Sequence, residues 1–189
     1  MAQNASNIYI PAPPEGGAVW SAPAGTTVPT DATTPLPEAF KSLGFISEDG
    51  IVNSEEAETS EVKAYGGTVV RESLTSRKET FAFTPMELNA QVLAEQYGDD
   101  NVTVGTGGAV TVAHNAKEKA ERVYVVESLL EGSTKVARDV IPKGRVTNVG
   151  ERKLATGEVI QRQITISCSP DSSGNTAYTY YAGIVQAGE

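Results

Sequence analysis

The sequence predicts a mainly β protein, a β-sandwich or partly closed β-barrel with one flanking helix and an extended N-terminal arm. From about residue 40 onward, short segments rich in Val, Ile, Thr and aromatic residues alternate with glycine and proline turns. The 189 residues include 18 Gly and 10 Pro, which suit strands and loops better than helices. One segment, about 86–97, has the apolar spacing of an amphipathic helix.

Composition argues against several classes of protein. The formal net charge of −9 is unsuited to tight general binding of DNA, because that affinity comes from Lys and Arg neutralising phosphates. The single cysteine, Cys168, excludes an internal disulfide. No run of about 18 apolar residues predicts a membrane span, and residues 1–7 lack the pattern of a secretion signal. We therefore expect a soluble protein made in the cytoplasm.

Residues 1–38 predict an extended N-terminal arm, followed by a β domain at 39–189. Proline is frequent in this segment and fixes φ while removing a hydrogen-bond donor, so we expect extended or irregular backbone without a core of its own. Tyr9 and Trp20 are large side chains that a solvated tail does not need. Two interpretations stay open: a mobile terminus, or an arm that docks on a neighbouring subunit.

Acidic side chains are concentrated between residues 53 and 61. The preceding Ser47–Gly50 has the composition of a turn, and the acidic run predicts a polar loop. The spacing and glycine of a calcium-binding loop are missing, so the interpretation is a solvated loop. Its carboxylates are Glu55, Glu56, Glu58 and Glu61.

Two strands and the helix follow this loop. The strands are predicted at 61–72, where Gly66-Gly67 indicates a bulge or a close backbone approach, and at 75–84. The helix is predicted to begin with Thr84 as its cap and to end at Gly98. Its apolar face is predicted to hold Met86, Leu88, Val92, Leu93 and Tyr97, and its exposed side Glu87, Gln91 and Glu95.

The rest of the chain predicts a β meander. Its expected strands are 102–104 and 110–112 around a glycine-rich turn at 105–108, then 122–130, 134–141 ended by Pro142, 145–153 paired with 158–169, and 176–185 after a turn at 170–175. In strand 158–169 the alternation places Ile160, Ile164, Ile166 and Cys168 on one apolar face, which predicts a buried thiol.

Residues suited to catalysis or metal binding are few. His114 is the single histidine, so a cluster of histidine ligands is excluded, and a Cys168–His114 pair is the one nucleophile arrangement open to the chain. No feature near Cys168 is expected to lower its pKa. Residues 105–108 lack the Gly-Lys-Ser/Thr end of a phosphate loop and precede a strand. We therefore predict no catalytic, cofactor or metal site.

Residues 40–51, Phe-Lys-Ser-Leu-Gly-Phe-Ile-Ser-Glu-Asp-Gly-Ile, carry a family resemblance. They are similar to the opening motif of major tail proteins, the tail tube proteins of bacteriophages with long non-contractile tails. The strand at 64–71, the strand at 75–83 and the Glu87–Leu93 segment resemble the continuation of that family, which is related in fold to type VI secretion tube proteins. Tyr65 departs from the pattern, since the family more often has tryptophan there.

The resemblance implies a structural virion protein that assembles as stacked hexameric rings to form the tail tube. DNA would pass through the lumen without specific binding, and the tape measure protein and the tail initiator and terminator proteins would be partners. Disordered arms would hold back assembly until an initiating complex is present. The side chains expected at subunit contacts are Tyr9, Trp20, Glu55, Glu56, Glu58, Glu87, Gln91 and Glu95.

Two other classes fit parts of the sequence. A β-sandwich decoration or adhesion module of a virion or cell surface would share the strand count, although it needs neither the helix nor the long arm. A small hydrolase would have to depend on His114.

Overall fold

The computed structural model describes residues 8–130 and 135–184 and confirms a mainly β protein with one α-helix. The described strands are β1 (Pro11–Ala12), β2 (Val19–Pro23), β3 (Lys41–Ser42), β4 (Ile46–Lys63), β5 (Val69–Pro85), β6 (Val102–Val104), β7 (Val110–Val112), β8 (Arg122–Leu130), β9 (Lys135–Val149), β10 (Ile164–Cys168) and β11 (Tyr178–Ala182), and the helix is α1 (Ala90–Tyr97). In these residues no helix is long and apolar enough to cross a membrane.

Nine of these strands form one antiparallel sheet around β8 and β9. From edge to edge the order is β3, β2, β8, β9, β10, β5, β4, while β1 also pairs with β8 and β11 with β9. The described strands do not close into a barrel, because β3 and β4 stay at the two edges. β6 and β7 form a separate hairpin, which confirms the glycine-rich turn predicted between them.

The main core lies on one face of this sheet. Alternate residues of β5, β8, β9 and β10 point into it, and Val92 of α1 covers it. Its largest fully buried side chains are Tyr124, Phe81, Phe83, Leu43, Ile141, Ile164 and Ile166. The predicted apolar face of the last long strand is confirmed for Ile164, Ile166 and Cys168, whereas Ile160 precedes β10 and is exposed.

A proline-rich strap, residues 24–40, covers the opposite face. Val28, Leu36 and Phe40 of the strap pack with the cluster of Ala22, Val123, Val125 and Val140. The buried Arg138 holds the strap in place, since its Nη1 donates to the Asp31 carbonyl at 2.8 Å and its Nη2 pairs with Glu127 at 2.6 Å. Hydrogen bonds from Thr34 and Thr33 lower the pKa of Asp31 to about 2. At neutral pH the Asp31 carboxylate is therefore ionised and accepts the backbone hydrogen bonds that form the turn at residues 31–34.

Much of the segment predicted as an N-terminal arm packs on the chain itself. β2 pairs with β8 over its whole length, and Val19 and Ala22 are completely buried. Removing residues 2–35 would therefore remove a strand of the main sheet together with most of the strap. The proline-rich composition correctly indicates extended backbone, but it does not reveal that this backbone completes two faces of the core.

The helix begins four residues later than predicted. Pro85 ends β5, Met86 N–H donates to the Phe45 carbonyl at 2.8 Å, and the cap is Asn89, whose side chain accepts from Val92 N–H at 2.9 Å. Gly98, with φ 92°, ends the helix as expected. The predicted apolar face is partly wrong, because the buried helix residues are Val92, Glu95 and Gln96, and Leu88 is exposed.

The acidic segment predicted as a loop is a strand. Residues 53–61 lie within β4 and pair in register with β5, whose Arg77 and Lys78 stand opposite Ala57 and Glu56. The turn predicted at Ser47–Gly50 is an irregularity inside β4, where pairing is interrupted between Ile46 and Ile51. Gly66-Gly67 forms the hairpin turn itself, with φ of 104° and 91°, instead of a bulge.

Other strand bounds differ in smaller ways. β9 continues through Pro142 to Val149, so the strands predicted at 134–141 and 145–153 are one element. The predicted strand 158–169 is shortened to Ile164–Cys168, whereas the 122–130 strand and the turn at 170–175 are confirmed. Residues 134 and 185, the ends of two predicted strands, lie outside the described residues.

Cys168 is expected to be unreactive in the native protein. It is buried, and burial followed by the nearby Glu79 carboxylate raises its pKa to about 12. At pH 8 the thiolate fraction is then only about one in ten thousand. We expect the thiol to react with a disulfide reagent only after unfolding in guanidinium, and complete reaction of the native protein within minutes would contradict the buried placement.

Candidate assembly surface

The β4–β5 hairpin extends far beyond the body of the sheet. From Ala57, which pairs with Arg77, to Tyr65 at the tip, the strand spans about 26 Å at the usual rise per residue. Residues 52–78 are all exposed except Ser73, which is half-buried. We call residues 59–74 the outer hairpin. Its two strands pair with each other, so it is a preformed element with two solvent-facing sides.

The outer hairpin exposes an unusual amount of apolar surface. Tyr65 is fully exposed and Leu74 is 61% exposed. The other large apolar side chains in this region are Val62, Val69 and Val70, which are also exposed. Large exposed apolar patches commonly mark sites of protein–protein contact. These residues were not among the predicted contacts. The sequence nevertheless contains an indication of them, because consecutive apolar residues such as Val69 and Val70 place apolar side chains on both faces of a strand next to the Gly66-Gly67 turn.

The predicted acidic contacts Glu55, Glu56 and Glu58 lie on the hairpin and are exposed. Glu55 forms two hydrogen bonds with Arg77, at 2.8 and 2.9 Å, and this bonding lowers the pKa of its carboxyl group. Glu58 accepts from Ser76 Oγ at 3.0 Å, and Glu56 stands opposite Lys78. The acidic strand is therefore partly balanced by its own partner strand.

Near the tip, charge pairing is less favourable. Glu61 stands directly opposite Glu72, and like charges in this position destabilise a strand pair. Lys63 Nζ lies 3.2 Å from Glu61 and offsets part of this repulsion. The repulsion between Glu61 and Glu72 is therefore only partly offset within the chain.

A buried polar cluster fixes the base of the hairpin to the sheet. Glu79 is 7% exposed and accepts from Asn53 Nδ2 at 3.0 Å and from Thr176 Oγ1. Arg77 Nη1 donates to the same threonine hydroxyl at 2.9 Å. Because β4, β5 and the segment before β11 share these bonds, the direction of the hairpin is set by the body of the protein.

Glu87 lies beside the loop that enters β4. Its Oε1 accepts from Phe45 N–H at 3.1 Å and its Oε2 accepts from Asn89 Nδ2 at 3.1 Å. The carboxylate sits against Gly44, where a Cβ atom would come within 2.1 Å of Glu87 Cδ. Glu87 is half-buried and organises this corner of the fold within one chain.

The prediction that Glu95 lies on the exposed side of the helix is wrong. Its carboxylate is buried, accepting from Ser21 Oγ at 2.7 Å and Tyr124 Oη at 2.6 Å, with Arg122 Nε at 3.3 Å. Gln91 is half-buried and donates to Ser21 Oγ at 2.9 Å. These contacts join α1 to β2 and β8, and burial then raises the pKa of Tyr124 well above its usual range.

The two predicted contacts in the N-terminal segment are half-buried in the chain. Lys135 Nζ lies 4.4 Å from the centre of the Tyr9 ring. Trp20 packs against the cluster under the strap and donates its Nε1–H to the Gly17 carbonyl at 3.1 Å. The predicted contact residues therefore lie in three places: the hairpin, the helix with the residues just before it, and the N-terminal segment.

Residues considered for catalysis are not brought together as a site. His114 is exposed and lies with its ring 4.7 Å from that of Tyr97, whereas Cys168 is buried in the main core. Across residues 8–130 and 135–184, no group of three or more His, Cys, Asp and Glu side chains is arranged to hold a metal ion.

Comparisons with known proteins give a family. A family model described as "Phage tail tube protein" matches residues 1–182. Among solved structures, the chain is similar to the tube-terminating cap of the anti-feeding prophage, with 12% identity, a TM-score of 0.46, and coverage of 96% of this chain and 100% of that chain. It is also similar to the tail of an empty GTA particle, with 11% identity, a TM-score of 0.43, and coverage of 90% and 96%. Curated protein sequences gave no match.

Replacing Glu95 with Ala should destabilise the fold severely. Arg122, whose side chain is 10% exposed, would keep only the half-exposed Asp99 as an ionic partner, and the buried hydroxyls of Tyr124 and Ser21 would lose their acceptor. Each buried polar group left unsatisfied costs about 1–3 kcal/mol of unfolding free energy. Guanidinium unfolding followed by Trp20 fluorescence measures the change. The matched control is Glu56→Ala on the exposed hairpin, expected to stay within about 0.5 kcal/mol of wild type. Equal effects of the two substitutions would show that the Glu95 network is not a structural anchor.

Proposed function

The chain belongs to the phage tail tube protein family, and we propose that it assembles as hexameric rings stacked into the tube through which DNA is delivered. As a member of this family it is a structural component of a virion tail that assembles with itself into a tube. The observation that carries the proposal is the family match over residues 1–182. The outer hairpin supports it, because it is a preformed element with exposed apolar surface that lies outside both core clusters of its own chain.

The free edge of the sheet supports ring formation. β4 is an edge strand of 18 residues, and an exposed edge normally invites pairing with another chain. In a ring, a neighbouring subunit would satisfy its unpaired backbone groups and remove the edge. β4 carries six carboxylates and one lysine, so repulsion between identical edges would disfavour unregulated pairing before assembly begins.

The charge of the whole chain suits passage of DNA. With a net charge of −9, the subunit lacks the excess of cations that holds phosphates, so DNA would move through the lumen without specific binding. We further propose that the tape measure protein and the tail initiator and terminator proteins are its partners, that the chain is made in the host cytoplasm, and that it has no catalytic role.

The experiment is removal of the outer hairpin. In the variant, the outer hairpin and the adjoining Thr75 are replaced by an Asn-Gly turn between the paired residues Glu58 and Ser76, which suits a two-residue hairpin connection. The removed residues lie outside both core clusters, so the variant should keep the thermal unfolding transition of the body. Negative-stain electron microscopy of concentrated protein should show hollow rings or tubes for wild type and separate monomers for the variant.

A second variant separates the role of the side chains from that of the backbone. Val62, Tyr65 and Val70 are changed to Ser, which keeps the hairpin but removes apolar surface, and we expect assembly only at higher protein concentration. If the shortened variant forms tubes like those of wild type, the hairpin is not an assembly element. If wild type remains monomeric even with tail initiator present, the proposed tube function itself fails.

A further inference from the structure

We propose that the tip of the hairpin of one subunit, residues 62–71, binds in a cavity on the body of the next subunit. The inference rests on the proposed self-assembly and adds which two surfaces meet. Every subunit carries both a hairpin tip and a cavity. The contact therefore joins two different surfaces and can repeat from subunit to subunit.

The cavity lies where the N-terminal segment crosses the base of the hairpin. Its volume is about 940 Å³, near the upper end of pockets that hold ligands of several hundred daltons. Apolar walls come from Pro11, Pro14, Phe45, Ile51, Phe81 and Val126. Phe45 is 77% exposed, so an aromatic side chain is already presented at the cavity. An aromatic and aliphatic ligand is therefore favoured here.

The hairpin tip has the matching chemistry. Tyr65 stands at the turn with Val62, Val69 and Val70 close behind, and all four are exposed. Gly66 and Gly67 have positive φ and open space where a side chain would begin, which keeps the turn narrow. Tyrosine is favoured at protein interfaces because it combines a large apolar ring with a polar end.

Charge complementarity strengthens the match. Residues 62–71 contain two cations, Lys63 and Arg71, and no acidic residue; the flanking residues are Glu61, which pairs with Lys63, and Glu72. The cavity lining contains four acidic residues, Glu15, Glu48, Glu87 and Asp139, and no basic one among the described residues. Opposite potentials on two surfaces guide association and select the partner. The acidic cavity also disfavours the carboxylate-rich middle of β4, so the tip is the part of the hairpin that fits.

The tip does not reach the cavity of its own chain. Ile51, Asn53 and Phe81 line the cavity and belong to the base of the same hairpin. Val62, where the tip begins, stands about 30 Å from Asn53 along the paired strand at the usual rise per residue. Bending the tip back onto this base would break the pairing of β4 with β5, so a tip that binds in the cavity comes from a second copy.

Disulfide trapping tests this contact directly. One chain carries Tyr65→Cys and a second carries Glu48→Cys, an exposed position in the cavity lining. Cys168 can stay, because it is buried with a raised pKa. The matched control for the second chain is Glu38→Cys, exposed on the strap side of the sheet. We expect the Tyr65→Cys and Glu48→Cys chains to form a disulfide-linked dimer under assembly conditions. The Tyr65→Cys and Glu38→Cys chains should form little of such a dimer.

A charge exchange gives a second readout. Lys63→Glu with Arg71→Glu should raise the concentration needed for tube formation about tenfold or more. Adding Glu15→Lys and Glu48→Lys to that chain should restore part of the loss. The control, Arg152→Glu with Lys153→Glu, changes net charge equally in an exposed segment outside the cavity and the hairpin, and should assemble like wild type.

The outcomes separate this proposal from the tube function. The docking proposal is overturned, and the tube function stands, if wild type forms tubes but positions 65 and 48 do not become linked by a disulfide. Equal trapping at position 38 would have the same meaning. Failure of the charge exchange to restore assembly would point to another occupant of the cavity, such as residues 1–7 of the same chain, and would also overturn it. Absence of tubes from wild type would overturn the tube function.

Discussion

The central constraint is that the β8–β9 pair places apolar side chains on both of its faces. Tyr124 and Ile141 point to one side, and Val125 and Val140 point to the other, so each face needs its own cover. One face is covered by α1 together with the strands next to it, and the other face is covered by the proline-rich strap. The outer hairpin belongs to neither cover. It is built as regular β structure and packs on neither core cluster.

Buried charge positions these covers. Glu95 joins the helix to β2 and β8, Arg138 holds the strap, and Glu79 fixes the base of the hairpin. Each group is largely removed from water and satisfied by several partners, so losing one partner leaves a costly unpaired group. Such groups add little to overall stability compared with apolar packing, but they specify where each cover sits. A defined direction for the hairpin follows, and a defined direction is what repeated assembly requires.

Local patterns in the sequence predicted what local chemistry decides. The strand Arg122–Leu130, the turn at 105–108 and the helix end at Gly98 were predictable because alternation, glycine and capping act within a few residues. The acidic strand was not, since Glu55 and Glu56 are balanced by Arg77 and Lys78 across the hairpin. Burial of Glu95 likewise depends on Ser21 and Tyr124, which are distant in sequence. The family resemblance, which covers roughly residues 36–100, correctly predicted the tail tube family without depending on any of these contacts.

The central claim, that the outer hairpin is exposed in the subunit and covered in the tube, is tested most directly by amide hydrogen exchange on both forms. In the monomer, amides of residues 59–74 should exchange much faster than those of β8. In assembled tubes the same amides should gain strong protection, while β8 changes little. Fast exchange of residues 59–74 in intact tubes would contradict the account, because it would show that the hairpin stays in solvent after assembly.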